Sequence, residues 1–164
     1  KEPWYDNTIF VLLGDHGKLV GTPECEMPQS YNHVPLIIHG KDITPEIRND
    51  FAGQIDVAPT ILGMLGIGYT QNNFGIDLNK EERPYAFYTT DKHIAARDSS
   101  RLYIYEPSED IEFFYSLVNG ELLETECDST YQEMPNYCFS MLQSAQFLAK
   151  NKLTVDKGEE KANK

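Results

Sequence analysis

Asp15 and His16 are the residues of this chain best suited to chemistry, because a carboxylate and an imidazole stand side by side at the end of an apolar run. That run, TIFVLL at residues 8–13, predicts a strand buried on both faces. Gly14 and Gly17 flank the pair and permit a turn that would bring both side chains to one side. The carboxyl ends of parallel strands are where open α/β folds bind ligands. From these residues alone, a strand-ending turn with a solvated Asp and His is the alternative interpretation.

Three blocks of sequence resemble, in the same order, blocks of the sulfatase and alkaline phosphatase superfamily. Residues 4–17 (WYDNTIFVLLGDHG) resemble its strand followed by Asp-His-Gly, and residues 31–38 (YNHVPLII) resemble its VPLII strand. Residues 54–62 (QIDVAPTIL) resemble its Q-x-D helix start. Within the superfamily, the blocks are most similar to lipoteichoic acid synthase-type phosphoglycerol transferases and to membrane-anchored phosphoethanolamine transferases.

The resemblance implies that Asp15 and His16 are two ligands of one divalent metal ion. A carboxylate plus a neutral imidazole suits Zn²⁺ or Mn²⁺, with Mg²⁺ or Ca²⁺ as the alternatives. The family's other metal-binding carboxylate and its hydroxyl nucleophile would lie upstream of Lys1. We therefore expect this chain to be the C-terminal part of the catalytic domain of a longer enzyme, with no nucleophile of its own.

That enzyme is expected to transfer phosphoglycerol or a similar head group to a cell-envelope polymer or lipid, at the extracytoplasmic face of a bacterial membrane. Its partners would be a phosphodiester or sulfate ester substrate, the missing N-terminal part of the same protein, and the membrane only through that missing part. One alternative is a sulfatase with the same fold. The other is that the isolated chain is a non-catalytic structural module.

The other histidines are weaker candidates. His33 stands just before the second predicted strand, where it could contact the substrate or leaving group, or could be an ordinary hydrogen-bonded histidine. His39 ends that strand, and His93 is expected to be a surface residue. Lys18 could contact an anionic substrate or be solvated.

Composition excludes several other classes of function. A net charge of −12 argues against sequence-independent nucleic-acid binding and gives no attraction to an anionic membrane. No apolar stretch approaches the ~18–20 residues needed to span a bilayer, and the chain opens without a signal peptide. The hydrophobic content of 40%, with ten Tyr and eight Phe, is enough for a core. The three cysteines are either all free thiols or include a Cys127–Cys138 bridge.

The predicted fold class is α/β. Residues 1–83 are expected to form an alkaline phosphatase-like partial parallel sheet with flanking helices, its first two strands parallel and Asp56 capping a helix. Short aromatic runs and the Asn119-Gly120 turn signal predict an antiparallel β lobe over residues 84–127. A C-terminal helix is expected within residues 128–154, followed by a disordered tail at 155–164.

Overall fold

The computed structural model describes residues 2–154, which divide into two compact units, the first ending at Asn49 and the second beginning at Asp50. The domain boundary predicted after residue 83 falls inside the second unit. No helix within residues 2–154 is both long and apolar enough to cross a membrane. The predicted disordered tail lies outside the described residues.

The first unit is built on two strands, β1 (Phe10–Leu13) and β2 (Leu36–His39), which pair antiparallel. Phe10 is opposite His39 and Leu13 is opposite Leu36. The prediction that these strands are parallel is therefore wrong. A parallel pair is usually joined by a crossover helix, whereas the connection here, although long enough for one, contains only a four-residue helix, α1 (Gln29–Asn32). The chain accordingly returns beside β1 as a wide hairpin.

The expected burial of β1 on both faces is also wrong. Leu12 and its cross-strand neighbour Ile37 are 54% and 55% exposed. An uninterrupted apolar run identifies a strand with two apolar faces, but it does not show what covers those faces.

The second unit begins with a short 3-10 helix, Gln54–Asp56, that continues into α2 (Val57–Met64). Asp56 does not cap α2 with its side chain, contrary to the prediction. Its buried carboxylate instead accepts hydrogen bonds from the backbone N–H groups of Gly53 and Ile76, each at 2.8 Å, and pairs with Arg83. The carboxylate therefore connects the helix start to the loop that follows the helix.

An antiparallel sheet of five strands makes up most of the second unit. The strands are β3 (Ala86–Thr89), β4 (Ile94–Arg97), β5 (Arg101–Glu106), β6 (Ile111–Val118) and β7 (Glu121–Glu124), paired in chain order. Asn119 and Gly120 both have positive φ, 52° and 87°, as their tight hairpin turn requires. The antiparallel lobe is confirmed. β4 is the strand of this sheet that the aromatic runs did not predict. Its centre is two alanines, which have low strand propensity.

The C-terminal helix, α3 (Glu133–Lys150), is also confirmed and covers one face of this sheet. The core between them comprises Ile94, Ala96, Tyr103, Phe114, Tyr131, Met134 and Cys138. The Tyr131 hydroxyl reaches into the sheet and donates to the Tyr115 carbonyl oxygen at 2.9 Å. Packing therefore holds helix and sheet together, and a buried hydrogen bond attaches the 3-10 turn before the helix, Ser129–Tyr131, to the sheet.

Cys25, Cys127 and Cys138 are all free thiols. Burial raises the pKa of Cys25 to about 11 and that of Cys138 to about 12, so neither is a reactive thiolate at neutral pH. Cys138 lies in the core while Cys127 is exposed. A bridge between them would require Cys138 to leave that core.

Candidate metal centre

The Asp15-His16 pair lies in the turn that immediately follows β1. Both side chains are accessible, with 91% of Asp15 and 54% of His16 exposed. The Asp15 Oδ1 atom accepts a hydrogen bond from the His16 backbone N–H at 2.9 Å, and Oδ2 lies 3.8 Å from His16 Nε2. The structure thus brings the carboxylate and the imidazole to one side of the turn. Metal binding by the pair stays a prediction.

The tautomer of His16 follows from its hydrogen bond. Nδ1 lies 2.6 Å from the carbonyl oxygen of Gly17. Because a carbonyl oxygen can only accept, Nδ1 carries the proton and the lone pair of the neutral ring is on Nε2. A backbone carbonyl that fixes one ring nitrogen while the other binds the ion is the common arrangement of metal-bound histidines.

The spacing of the two donor atoms is compatible with a single ion. Carboxylate oxygens and imidazole nitrogens lie roughly 2.0–2.2 Å from Zn²⁺, so two ligands of one ion are separated by at most about 4.4 Å. The 3.8 Å between Asp15 Oδ2 and His16 Nε2 is inside that limit. Within residues 2–154 there is no cluster of three His, Cys, Asp or Glu side chains that could hold a metal. The pair alone would supply part of a coordination shell.

A stretch of chain, residues 28–34, lies against the turn, and we call it the backing segment. The Gly17 N–H donates to the Tyr31 carbonyl oxygen at 2.8 Å. A Cβ atom on Gly17 would overlap the Ser30 carbonyl oxygen, and one on Gly14 would come within 3.3 Å of Val34. Gly17 is therefore required by close backbone approach, whereas Gly14 is only in tight contact, and φ at neither is positive.

The backing segment is itself held in place. It contains α1, whose first backbone N–H, at Gln29, donates to the Glu24 carboxylate at 2.6 Å. The Asn32 amide donates to the Pro28 carbonyl oxygen at 2.9 Å. Buried Met27 precedes the segment directly. The backing segment is thus an ordered support for the Asp15-His16 turn.

The remaining predicted residues occupy different places. His33 is in the backing segment, where its backbone N–H donates to Gln29, and it is exposed. Its role in substrate or leaving-group contact stays a prediction. His39 is at the other end of the two-stranded sheet from Asp15, bonded through Nε2 to the Tyr5 hydroxyl at 2.9 Å.

His93 is not the surface histidine that was predicted. Its side chain is mostly buried, and Nε2 lies 3.3 Å from the Glu106 carboxylate. Lys18, the other candidate for anion contact, is exposed beside the turn.

Comparison with known proteins places this chain in a family. The Sulfatase family model matches residues 1–67. Lipoteichoic acid synthase 2 of Bacillus subtilis (strain 168) is 34% identical over 99 residues, covering 51% of this chain and 15% of that protein. The lipoteichoic acid synthase-like protein YvgJ of the same organism is 30% identical over 141 residues, covering 75% of this chain and 21% of that protein. The chain belongs to the sulfatase superfamily.

This chain spans only about a fifth or less of the length of each of these relatives. It therefore corresponds to part of a catalytic domain. The crystal structure of a predicted sulfatase from Bacteroides thetaiotaomicron VPI-5482 superimposes with a TM-score of 0.59 over 92% of this chain and 38% of that one. At 19% identity, this likeness supports the fold.

Two residues of this sulfatase-superfamily chain became evident only in the structure. Tyr31 contacts His16 through its ring, and Arg83 neutralises buried Asp56. Tyr31 is 15 residues beyond His16 in a segment without periodicity, so no sequence pattern connected the two. Arg83 precedes a proline, and sequence analysis interpreted that place as a boundary.

Proposed function

We propose that this chain supplies Asp15 and His16 as two ligands of the divalent metal site of a phosphotransferase. The observation that carries the proposal is the convergence of the Asp15 carboxylate and the His16 Nε2 lone pair, 3.8 Å apart, at the end of β1. Membership of the sulfatase superfamily supports it. The donor set fits Zn²⁺ or Mn²⁺ best, with Mg²⁺ or Ca²⁺ as alternatives.

A bound divalent ion would neutralise charge on the ester group and help to activate a nucleophile. The chain's own contribution is to present one negative and one neutral ligand with fixed orientation. Asp15 is held by the His16 N–H, and the His16 ring by the Gly17 carbonyl oxygen. The nucleophile and the other ligands would come from the part of the protein upstream of Lys1.

His33 is proposed to contact the substrate or its leaving group. Its neighbours in the backing segment, Tyr31 and Val34, both approach the Asp15-His16 turn. A histidine there would be near the reacting ester, and an imidazole can act as a general acid or base.

The substrate proposed is a phosphodiester that carries phosphoglycerol or a similar head group, with a cell-envelope polymer or lipid as acceptor. The names of the matching relatives, lipoteichoic acid synthases of Bacillus subtilis and Staphylococcus aureus (strain USA300), support this. The reaction would take place at the extracytoplasmic face of the membrane, to which the upstream part of the protein would be anchored. A net charge of −12 gives no reason to expect nucleic acid as a partner.

The second candidate is hydrolysis of a sulfate ester. The name of the matching family and of the superimposed Bacteroides thetaiotaomicron structure favour it. Because both activities use the same fold, they are distinguished by the ester on which the protein acts, a phosphodiester or a sulfate ester.

The proposal is tested by assaying the full-length protein and its Asp15→Asn variant with a chromogenic phosphodiester and a sulfate monoester. Asp15→Asn keeps the side-chain size but removes the ligand charge, so phosphodiester turnover should fall by orders of magnitude with the fold intact. Asp42→Asn, an exposed aspartate in the same unit, is the matched control and should retain activity. Undiminished turnover in Asp15→Asn would refute the metal role, and turnover of the sulfate ester alone would establish the sulfatase.

A further inference from the structure

We propose that Tyr31 is a positioning residue for the metal centre, acting through the ring of His16. This inference rests on the proposed metal role of Asp15 and His16. It concerns a side chain outside the proposed ligand pair.

The two rings are stacked. Their centroids lie 4.8 Å apart and their planes differ by 18°. Stacking of this kind restricts rotation about the bonds that orient the imidazole. Since more than half of the His16 side chain is exposed, packing from other sides cannot restrict it to the same degree.

The Tyr31 backbone contributes a second contact to the same turn. Its carbonyl oxygen accepts the Gly17 N–H at 2.8 Å, and the Gly17 carbonyl oxygen in turn contacts His16 Nδ1 at 2.6 Å. A single residue, Gly17, therefore connects Tyr31 to the atom that fixes the tautomer of His16. Ring and backbone of Tyr31 together define both the plane of the imidazole and the atom that carries its proton.

As a consequence, these contacts hold the Nε2 lone pair of His16 in one direction, toward the side of the turn on which Asp15 Oδ2 lies. A ligand held in its binding orientation loses less conformational entropy when the ion binds. Residues that support ligands in this way typically change metal affinity by about 10- to 100-fold when mutated. Tyr31 is expected to act in this range, through metal affinity and with little effect on turnover at saturating metal.

Variants of the full-length protein separate the aromatic ring from the hydroxyl group. Tyr31→Leu removes the stacking surface and should weaken Mn²⁺ binding, measured by calorimetric titration, by about 10-fold or more. Tyr31→Phe keeps the ring and should restore affinity close to that of the unmodified protein. Tyr69→Leu is the matched control, because Tyr69 has the same 40% exposure and lies in the other unit, and it should bind normally.

A double-mutant cycle shows whether Tyr31 acts through His16. In the His16→Ala background, Tyr31→Leu should have no further effect on Mn²⁺ affinity. An equal loss with and without His16, or normal affinity in Tyr31→Leu while Asp15→Asn is impaired, would overturn the positioning role and leave the metal site standing. Normal Mn²⁺ affinity in Asp15→Asn would overturn the metal site and the positioning role together. If Tyr31→Leu does not fold, Tyr31→Gln makes the same comparison with Tyr31→Phe, because glutamine also lacks an aromatic ring and is compatible with a helix.

Discussion

At the scale of single residues, the hydrogen bond at His16 Nδ1 determines what the ring can do. With that nitrogen donating to the Gly17 carbonyl oxygen, Nε2 is the only ring atom that can bind an ion while the imidazole is neutral. Asp15 and His16 are adjacent in sequence, and adjacent strand residues would point to opposite faces. They converge because β1 has already ended at Leu13 and the chain turns between them.

Gly17 gives the first residue-level prediction. Gly17→Ala should disturb the turn, because the new methyl group would overlap the Ser30 carbonyl oxygen and push the backing segment away. Stability should fall, and Mn²⁺ affinity with it, as measured by thermal unfolding and calorimetric titration. Gly68→Ala is the control, since a Cβ there would have no neighbour within 4 Å. Wild-type affinity in Gly17→Ala would show that the turn does not need this close approach.

At the scale of elements, the Asp56–Arg83 ion pair is a buried tertiary link outside the sheet. Asp56 is completely buried and the Arg83 side chain is only 7% exposed. Arg83 Nε donates to Asp56 Oδ2 at 2.7 Å, and the guanidinium also contacts the Phe74 carbonyl oxygen. The hydrogen bond to Asp56 raises the pKa of Arg83, which keeps the guanidinium charged. The ion pair joins the start of α2 to the part of the chain that precedes β3.

We expect Arg83→Met to destabilise the protein by about 3–5 kcal/mol, because it leaves the Asp56 carboxylate buried without a counter-charge. The double variant Asp56→Leu with Arg83→Met should lose less, since neither charge is then left alone. Urea denaturation of both variants measures the difference. A larger loss in the double variant than in Arg83→Met would contradict this account.

The turn between β4 and β5 gives an element-level prediction about pH. Burial would raise the pKa of Asp98, but hydrogen bonds from Arg101 and from the backbone N–H groups of Ser100 and Arg101 outweigh burial, so its pKa is lowered. A lowered pKa means that the contribution to stability is present above the unfolded value, near pH ~4, and is lost as pH falls through the folded value.

Asp98→Asn should therefore unfold at lower urea concentration than the wild type at pH 7, and the difference should shrink between pH 5 and pH 3. Asp91→Asn, in the preceding turn and exposed, is the control and should follow the wild type at each pH. A constant difference between Asp98→Asn and the wild type across this range would exclude titration of Asp98 as the cause.

At the scale of the whole molecule, local patterns predicted elements better than their arrangement. The five-stranded lobe, its Asn119-Gly120 turn and α3 were all expected, because turn chemistry and apolar periodicity are local signals. The antiparallel direction of β2 was not expected. The direction of a strand depends on the path of the connecting residues, here 14–35, from the end of β1 to the start of β2. The absence of a helical period in that connection was the available signal for an antiparallel return.

The residues of the candidate site also differ in whether the sequence alone could identify them. Asp15 and His16 were identifiable because they are contiguous and follow a strand. Tyr31 could not be found, because it reaches His16 only through the fold of α1 and the backing segment. Asp56 was recognised at the right position but assigned the wrong partner, since Arg83 is 27 residues away in sequence.

The measurement that tests the central claim most directly is anomalous X-ray scattering from crystals of the full-length protein grown with Mn²⁺. The account predicts an anomalous peak within about 2.0–2.3 Å of both His16 Nε2 and a carboxylate oxygen of Asp15, with Nδ1 still bonded to the Gly17 carbonyl oxygen. A peak bound through Nδ1, or a fully occupied Mn²⁺ site that excludes both residues, would contradict it.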